Sequence, residues 1–152
     1  MSDIYLITGV AGFIGSHIAE ELLKNTNNIV IGVDNFYSGY QKNLDAISSN
    51  NLVFYEGDIR DDKILLEIFS AHKIQYIFHQ AAIVSVQKSI ENPVLSNEVN
   101  VLATIKLLSF ARLNKVKRVV FASSAAVYGD EPSLPKNEES ITSPISPYGI
   151  EK

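Results

Sequence analysis

The sequence predicts an α/β protein with a doubly wound parallel sheet, whose helices cover both faces to give three layers (αβα). Two observations lead to this prediction. Short apolar runs of strand type recur along the chain, and between them lie segments whose apolar residues repeat at helical spacing. The length of 152 residues, with 46% hydrophobic and 20% charged residues, matches one globular domain. We therefore expect successive βα units around one sheet.

The first two βα units are predicted as follows. Residues 4–7 form an apolar strand, and residues 13–25 form a helix because Ile14, Ile18 and Leu22 recur at helical spacing. Residues 29–33 form the second strand, which ends at Asp34. The polar segment 35–49 contains a Ser-Gly turn signal and is expected to hold a short helix.

The remaining elements continue the alternation. Residues 52–55 form the third strand, and Asp61 with Asp62 caps a helix that runs through Phe69. Three further elements come next, namely a strand at 74–79, a short helix at 84–90 and a long helix from Pro93 to Leu113. The fifth strand is predicted at 119–122. The segment 130–147 holds four of the five prolines and is expected to be a loop.

Composition excludes several classes of partner and site. The net charge of -4 and the lack of any Lys/Arg block argue against nucleic-acid binding. The N-terminus has no basic region, and the first apolar run is too short for a signal peptide or a membrane span, so we expect a cytoplasmic protein. With no cysteine there is no thiolate nucleophile or disulfide, and His17, His72 and His79 lack metal-ligand spacing. No metal site is predicted.

Three glycines mark the turn between the first strand and the first helix. Gly9, Gly12 and Gly15 are spaced Gly-x-x-Gly-x-x-Gly, rather than in the commoner Gly-x-Gly-x-x-Gly pattern. In this setting the first glycine permits a tight turn, the second lets the backbone approach a pyrophosphate, and the third lets the helix pack on the strand. The helix N-terminus offers free N–H donors and partial positive charge to phosphates. The turn predicts a dinucleotide site.

The acidic residue at the end of the second strand indicates which dinucleotide. Asp34 lies 19 residues beyond Gly15, about the separation at which a carboxylate meets the adenosine ribose. A carboxylate there repels a 2′-phosphate, and no arginine lies between Gly32 and Asn51 to bind one. NAD is therefore favoured over NADP. Asp58 and Ile59, just after the third strand, are candidates to flank the adenine, although Asp before a helix is also a common local cap.

A tyrosine and a lysine four residues apart suggest proton transfer. Tyr148 and Lys152 would share one face of a helix, where an ammonium together with the positive nicotinamide ring stabilises a phenolate. A chance Tyr-x-x-x-Lys is common. This one follows a fifth strand that ends in Ser123 and Ser124, whose hydroxyls would lie near the same site.

In this order, these motifs resemble those of the extended short-chain dehydrogenase/reductase family, in its NAD-dependent sugar epimerase/dehydratase branch, and look most like the UDP-glucose 4-epimerases. The resemblance extends over essentially the whole chain and lies in the segments 7–17, 33–35, 57–61, 79–82, 100–104, 123–129 and 146–149. It implies an NAD(P)-binding Rossmann domain over residues 1–152. A lysine that often follows the fourth strand in related epimerases is replaced here by Val84.

The resemblance also implies roles for individual residues. The cofactor contacts carried over by motif would be Gly9, Gly12, Phe13, Ile14, Gly15, Asp34, Asn35, Asp58, Ile59, Gln80, Ala81, Ala82, Asn100, Tyr148 and Lys152. Ser124, Tyr148 and Lys152 would be catalytic. In the implied cycle Tyr148 takes the proton from the sugar 4-hydroxyl while hydride passes from C4 to NAD and then returns to the other face.

The expected function is therefore a nucleotide-sugar 4-epimerase, an isomerase of carbohydrate metabolism acting on UDP-glucose or a UDP-N-acetylhexosamine. A sugar dehydratase would need an Asp-Glu pair directly after the active-site hydroxyl, where this chain has Ala125 and Ala126. A decarboxylase, a reductase or a non-catalytic NAD-binding fragment is the alternative reading.

Family members carry a substrate lobe after the Tyr-x-x-x-Lys helix, and we expect that lobe to be absent from this chain. The isolated 152-residue chain is accordingly expected to be inactive, because a helix that ends at Lys152 is marginal by itself. Family members also commonly dimerise by pairing helices. The helix from Pro93 to Leu113 corresponds to one of these, so a homodimer is expected for the full-length enzyme.

Overall fold

The computed structural model of the protein describes residues 3–152. Five parallel strands form one sheet in the order β3-β2-β1-β4-β5, which confirms the doubly wound prediction. The strands are β1 (Ile4–Thr8), β2 (Ile29–Asp34), β3 (Leu52–Glu56), β4 (Tyr76–His79) and β5 (Arg118–Phe121). The strand order reverses between β1 and β4. At such a switch point the carboxyl ends of the strands leave a crevice in which ligands bind.

Within residues 3–152, seven α-helices connect the strands or follow them. They are α1 (Phe13–Leu23), α2 (Gln41–Asp45), α3 (Asp62–Ala71), α4 (Val86–Glu91), α5 (Pro93–Asn97), α6 (Ala103–Leu113) and α7 (Pro147–Glu151). The expected Asp61 cap is present, since its side chain accepts from the Lys63 amide. The Asn92 side chain likewise accepts from the Leu95 amide at the start of α5. Apart from the helix from Pro93 to Leu113, the predicted elements agree with the observed ones to within a few residues at their ends.

The two faces of the sheet bury separate apolar clusters, as strand alternation requires. Leu6 and Ile31 point to the face covered by α3 and α6, where they pack with Leu107. Ile7 and Val30 point to the opposite face, where they pack with residues of α1 and α2. Helix, sheet and helix therefore form the three predicted layers.

The long helix predicted from Pro93 is interrupted. One π-helical turn, Glu98–Leu102, lies between α5 and α6. Such turns add a residue to the helix and are frequent at functional sites. The sequence pattern did not indicate this turn. It places Asn100 where the side chain meets the loop after β4, as described below.

The same helix, Pro93–Leu113, is long and apolar enough to cross a membrane by length and composition alone. A helix that packs in the core of a soluble protein meets the same test, and Ala103, Leu107 and Ala111 are buried against the sheet. This helix is therefore only weak evidence for a membrane span.

Candidate cofactor and proton-transfer site

A cleft of about 430 Å³ lies at the carboxyl ends of the strands, around the crossover between β1 and β4. Most of the cofactor residues predicted from the sequence line it together, namely Gly9, Gly12, Phe13, Ile14, Gly15, Asp34, Asn35, Asp58, Ile59, Gln80, Ala81 and Ala82. Four other predicted site residues, Asn100, Ser124, Tyr148 and Lys152, are not part of its lining. The structure thus separates the predicted residues into a cleft and a neighbouring group.

The glycine turn at the end of β1 is as tight as its sequence predicts. Gly9 has a φ of 72°, and its amide donates to the Val33 carbonyl at 2.8 Å. A Cβ on Gly15 would stand 2.2 Å from the Gly9 carbonyl oxygen, so α1 begins in direct contact with the turn. Any side chain at position 15 would force the helix away from the strand.

The first turn of α1 points unused donors into the cleft. Gly12 provides no side-chain cap, and within the described part of the chain the amides of Phe13 and Ile14 have no backbone or side-chain acceptor. Both residues line the cleft, and their side chains are largely exposed. Free amides at a helix N-terminus, beside partial positive charge, form a binding place for an anion such as a pyrophosphate.

Asp34 stands beside this turn at the end of β2 and is almost fully buried. One carboxylate oxygen accepts from the Ala11 amide at 2.9 Å, and the other accepts from the Phe36 amide at 2.8 Å. Each oxygen keeps a further lone pair for a ligand hydroxyl. The two bonds hold the carboxylate rigidly at the wall of the cleft.

Asp58, which also lines the cleft, is held by a residue that the sequence did not single out. The Arg60 guanidinium donates from Nη2 to Asp58 Oδ2 at 2.7 Å, and the Asn35 amide donates to the same oxygen at 3.1 Å. The hydrogen bond from Arg60 is the main reason that the pKa of Asp58 lies below its ordinary value. The carboxylate is therefore charged and fixed in orientation.

His79, at the end of β4, links the glycine turn to the π-helical turn through two threonines. Its Nδ1 lies 2.6 Å from Thr8 Oγ1, and its Nε2 lies 2.8 Å from Thr104 Oγ1. The Thr104 hydroxyl donates to the Asn100 carbonyl at 2.7 Å, so it must accept from Nε2–H. The Thr8 oxygen accepts from the Ala81 amide and donates its own proton to Nδ1. This pattern assigns the Nε2–H tautomer to a neutral imidazole.

The burial of His79 has an energetic consequence. Desolvation lowers the pKa of the imidazole to about 4, and the neighbouring Lys152 ammonium acts in the same direction. A role beyond that of a strand-end side chain was not expected. No spacing in the sequence indicates it, because Thr8 and Thr104 are remote from His79 along the chain.

Acid should therefore destabilise the protein through His79. The unfolded histidine has a pKa of about 6.5, so it takes up a proton before the folded one does. The stabilisation is complete above pH 6.5 and is lost as the pH falls through about 4. The loss is of the order of 3 kcal/mol in the free energy of unfolding.

Urea unfolding at a series of pH values measures this loss. The His79→Gln variant should give a flatter dependence on pH than the parent protein between pH 6.5 and 4. The exposed His17→Gln variant serves as the control and should follow the parent curve. If all three curves run parallel, the assignment of the acid sensitivity to His79 is wrong.

Ser124, Tyr148 and Lys152 lie in adjoining elements after β5. The Ser124 hydroxyl oxygen accepts from the Ala126 amide at 3.2 Å and caps a 3-10 turn, Ala125–Tyr128. Helix α7 packs closely on this turn, because a Cβ on Gly149 would stand 2.7 Å from the Ala126 carbonyl oxygen. The structure thus brings the three residues into one neighbourhood. The 3-10 turn was not predicted.

Contacts within the protein alone hold helix α7 in place. The Tyr148 amide donates to the buried Ser89 hydroxyl of α4 at 3.1 Å. Lys152 Nζ donates to the Ala122 carbonyl at 3.0 Å and stands 4.7 Å from the centre of the Phe121 ring. Burial lowers the pKa of the Lys152 ammonium, and the Glu151 carboxylate acts in the opposite sense.

The Asn100 side chain, which was predicted to contact the cofactor, meets the loop after β4. It is buried and bonds to the backbone of Ile83, accepting at 2.8 Å and donating at 3.0 Å. The second amide hydrogen is used by Glu151. The side chain therefore braces the loop after β4 rather than lining the cleft.

No group of three or more His, Cys, Asp or Glu side chains that could hold a metal ion occurs within residues 3–152. The polar groups of the cleft are backbone amides and separated carboxylates. This donor set suits a phosphate ester and its ribose hydroxyls.

The chain is similar to known enzymes that act on nucleotide sugars. The family model described as GDP-mannose 4,6 dehydratase matches residues 6–152. The putative UDP-glucose 4-epimerase of Methanocaldococcus jannaschii is 41% identical over 148 residues, which cover 97% of this chain and 47% of that protein. The chain therefore spans about half the length of the curated relatives that it matches.

Solved structures agree in fold. UDP-glucose 4-epimerase of Thermotoga maritima, crystallised with UDP-glucose, has a TM-score of 0.90 at 40% identity, and the match covers 98% of this chain and 47% of that one. UDP-glucose 4-epimerase of Bifidobacterium longum, in complex with NAD+ and UDP, has a TM-score of 0.90 at 33% identity, with 98% and 45% covered.

Proposed function

Because this chain belongs to the NAD-dependent epimerase/dehydratase family of extended short-chain dehydrogenases/reductases, we propose that it is the NAD-binding part of a nucleotide-sugar 4-epimerase. One observation supports the proposal most strongly. Unused amides at the start of α1 face a cleft whose next wall is the fixed carboxylate of Asp34. A Rossmann domain binds NAD through hydrogen-bond donors to the pyrophosphate and through an acceptor for the ribose hydroxyls.

The residues present fit NAD better than NADP. Asp34 would accept from the hydroxyls of the adenosine ribose, and its negative charge would repel a 2′-phosphate. The neighbouring Phe36 and Tyr37 bring no positive charge to that position. Asp58, fixed by Arg60, would lie beside the adenine.

NAD held in this cleft would supply hydride-transfer chemistry at the sugar C4. The chain's own residues do the rest of the chemistry. The Tyr148 phenolate would take the proton from the 4-hydroxyl and later give it back, with the Ser124 hydroxyl hydrogen-bonded to the same oxygen. The Lys152 ammonium would hold a ribose hydroxyl and favour the phenolate.

Epimerisation is favoured over dehydration by the residues after Ser124. A dehydratase must transfer protons at C5 and C6 of the sugar. The residues directly after Ser124 are Ala125 and Ala126, whose side chains have no acid or base group for this transfer. A decarboxylase or reductase of the same family, or a non-catalytic NAD-binding protein, is the alternative function. The substrate is proposed to be a UDP-sugar, either UDP-glucose or a UDP-N-acetylhexosamine, because the relatives compared are UDP-glucose 4-epimerases.

The proposal extends to the partners and the compartment of the protein. We propose a cytoplasmic enzyme of carbohydrate metabolism that forms a homodimer and does not bind nucleic acid. The dimer proposal is supported by an apolar row that stays exposed on the long helix at Leu102, Ile105, Leu108 and Leu113. The proposals on nucleic acid and compartment are supported by the net charge of -4 and by the lack of cysteine.

The proposal is tested by titration of the complete polypeptide that carries this chain with NAD and with NADP in a calorimeter. We expect NAD to bind at least tenfold more tightly, because a buried carboxylate beside a 2′-phosphate costs more than ~1.4 kcal/mol. The Asp34→Asn variant should lose most of that preference. A protein that binds neither dinucleotide, or that prefers NADP, would contradict the proposed function.

A further inference from the structure

One carboxylate lies inside the Tyr-x-x-x-Lys helix and has no role in the chemistry described above. Glu151 precedes Lys152 and is half-buried. Its Oε2 accepts from the Ser96 hydroxyl at 2.6 Å and from the Asn100 side-chain amide at 2.7 Å. These donors lie 55 and 51 residues away along the chain, on α5 and in the π-helical turn.

The two donors are themselves fixed. Ser96 is 1% exposed and Asn100 is 2% exposed, so neither exchanges its partner for water easily. The Asn100 side chain is tied at both ends to the Ile83 backbone, in the loop that follows β4 and lines the cleft. Glu151 therefore joins the helix that carries Tyr148 to the wall of the cofactor cleft. Its hydrogen bonds are of the strong, charge-assisted kind.

The carboxylate also acts on its neighbour through charge. It raises the pKa of the Lys152 ammonium against the opposing effect of burial. His79, on the neighbouring strand, is neutral at ordinary pH and cannot replace it. The other charged side chains on the elements around α7 and Lys152 are exposed, and they are Lys88 and Glu91 on α4, Glu98 in the π-helical turn and Arg118 on β5.

We propose that Glu151 is a positioning residue of the active site, which clamps the Tyr-x-x-x-Lys helix to Ser96 and Asn100 beside the Lys152 side chain. The catalytic meaning of this clamp rests on the proposed function, whereas its two physical effects do not. Without the clamp, α7 would be held by the Ser89 contact of Tyr148, by its own cap and by the bonds of Lys152 to Ala122 and Ser123. Tyr148 and Lys152 would then be less precisely aligned with a ligand.

The charge effect is tested by NMR titration of the complete polypeptide labelled with [¹³Cε]lysine. The Lys152 resonance is identified by its loss in a Lys152→Arg variant. In Glu151→Gln, which keeps the shape and removes the charge, the Lys152 titration midpoint should fall to lower pH. Glu138→Gln makes the same chemical change at an exposed position and should leave the midpoint where it is.

The clamp itself is tested by amide hydrogen exchange at Ile150, whose amide donates to the Ser146 carbonyl within α7. Ser96→Ala removes one donor, leaves the carboxylate in place, and should speed exchange at Ile150 by about fivefold. If Glu151→Gln does not fold, Ser96→Ala still tests the clamp.

The two readouts need neither activity nor a bound cofactor, so they separate this inference from the proposed function. If the Lys152 midpoint is unchanged in Glu151→Gln, or if Ile150 exchange is unchanged in Ser96→Ala, the inference is wrong even in an active epimerase. If both shift, the inference holds. In an active enzyme, Glu151→Gln should then also move the alkaline limb of the kcat profile to lower pH by the same amount, with KM little changed.

Discussion

Replacing Tyr148 with phenylalanine is expected to lower kcat for 4-epimerisation by about 10²–10⁴-fold, which is the contribution of a positioned acid-base group. The variant removes one oxygen and leaves the helix in place, because α7 is held through the Tyr148 amide, the Ser146 cap and Glu151. NAD affinity should fall by no more than about fivefold, because the variant removes at most one hydrogen bond to the cofactor. The measurement is steady-state kinetics of the complete polypeptide with UDP-glucose, together with an NAD titration.

Tyr76→Phe is the matched control for this variant. This substitution also removes one tyrosine hydroxyl, but at the end of β4 that lies opposite the cleft. Its activity should stay within about twofold of the parent protein. An active Tyr148→Phe enzyme, or equal losses in both variants, would remove Tyr148 from the proton-transfer role.

Replacing Gly15 with alanine should be the most damaging small substitution in the cofactor cleft. The new Cβ would stand 2.2 Å from the Gly9 carbonyl oxygen and 2.9 Å from Val10 Cα, and both are backbone atoms that cannot rotate away. Helix α1 would have to shift, which would displace the amides that face the cleft. We expect a loss of about 3 kcal/mol in the free energy of unfolding and at least a 100-fold loss in NAD affinity.

Gly12→Ala provides the comparison for this substitution. Its Cβ would meet only the Gly9 carbonyl oxygen, at 3.2 Å, so the stability cost should be about 1 kcal/mol or less. Urea unfolding of the two variants measures the difference. Equal stability of both variants would mean that the close packing of α1 on the glycine turn does not hold the cleft together.

The sheet and the glycine turn could be predicted because their signals are local. Apolar runs and helical spacing identify strands and helices, and the distance from Gly15 to Asp34 places a carboxylate beside the turn. The structure confirms the fold class and brings most of the predicted cofactor residues to one cleft.

What the sequence could not indicate depends on contacts between distant residues. The π-helical turn has no distinct pattern in an apolar helix, yet it decides that the Asn100 side chain meets Ile83 rather than the cleft. The pairing of His79 with Thr8 and Thr104 joins three separate elements. The anchor of Glu151 on Ser96 needs α7 to fold back onto α5. Each becomes visible only once the chain is packed.

The most direct test of the central claim uses UDP-glucose that carries deuterium at C4, incubated with the complete polypeptide in ordinary water. If the cleft holds NAD as a catalyst beside Tyr148, the hydrogen leaves C4 and returns to the same carbon without reaching solvent. The product, UDP-galactose, should therefore keep its deuterium at C4 and contain no hydrogen from water there. Product that has lost its label to solvent, or the absence of any product, would contradict this account.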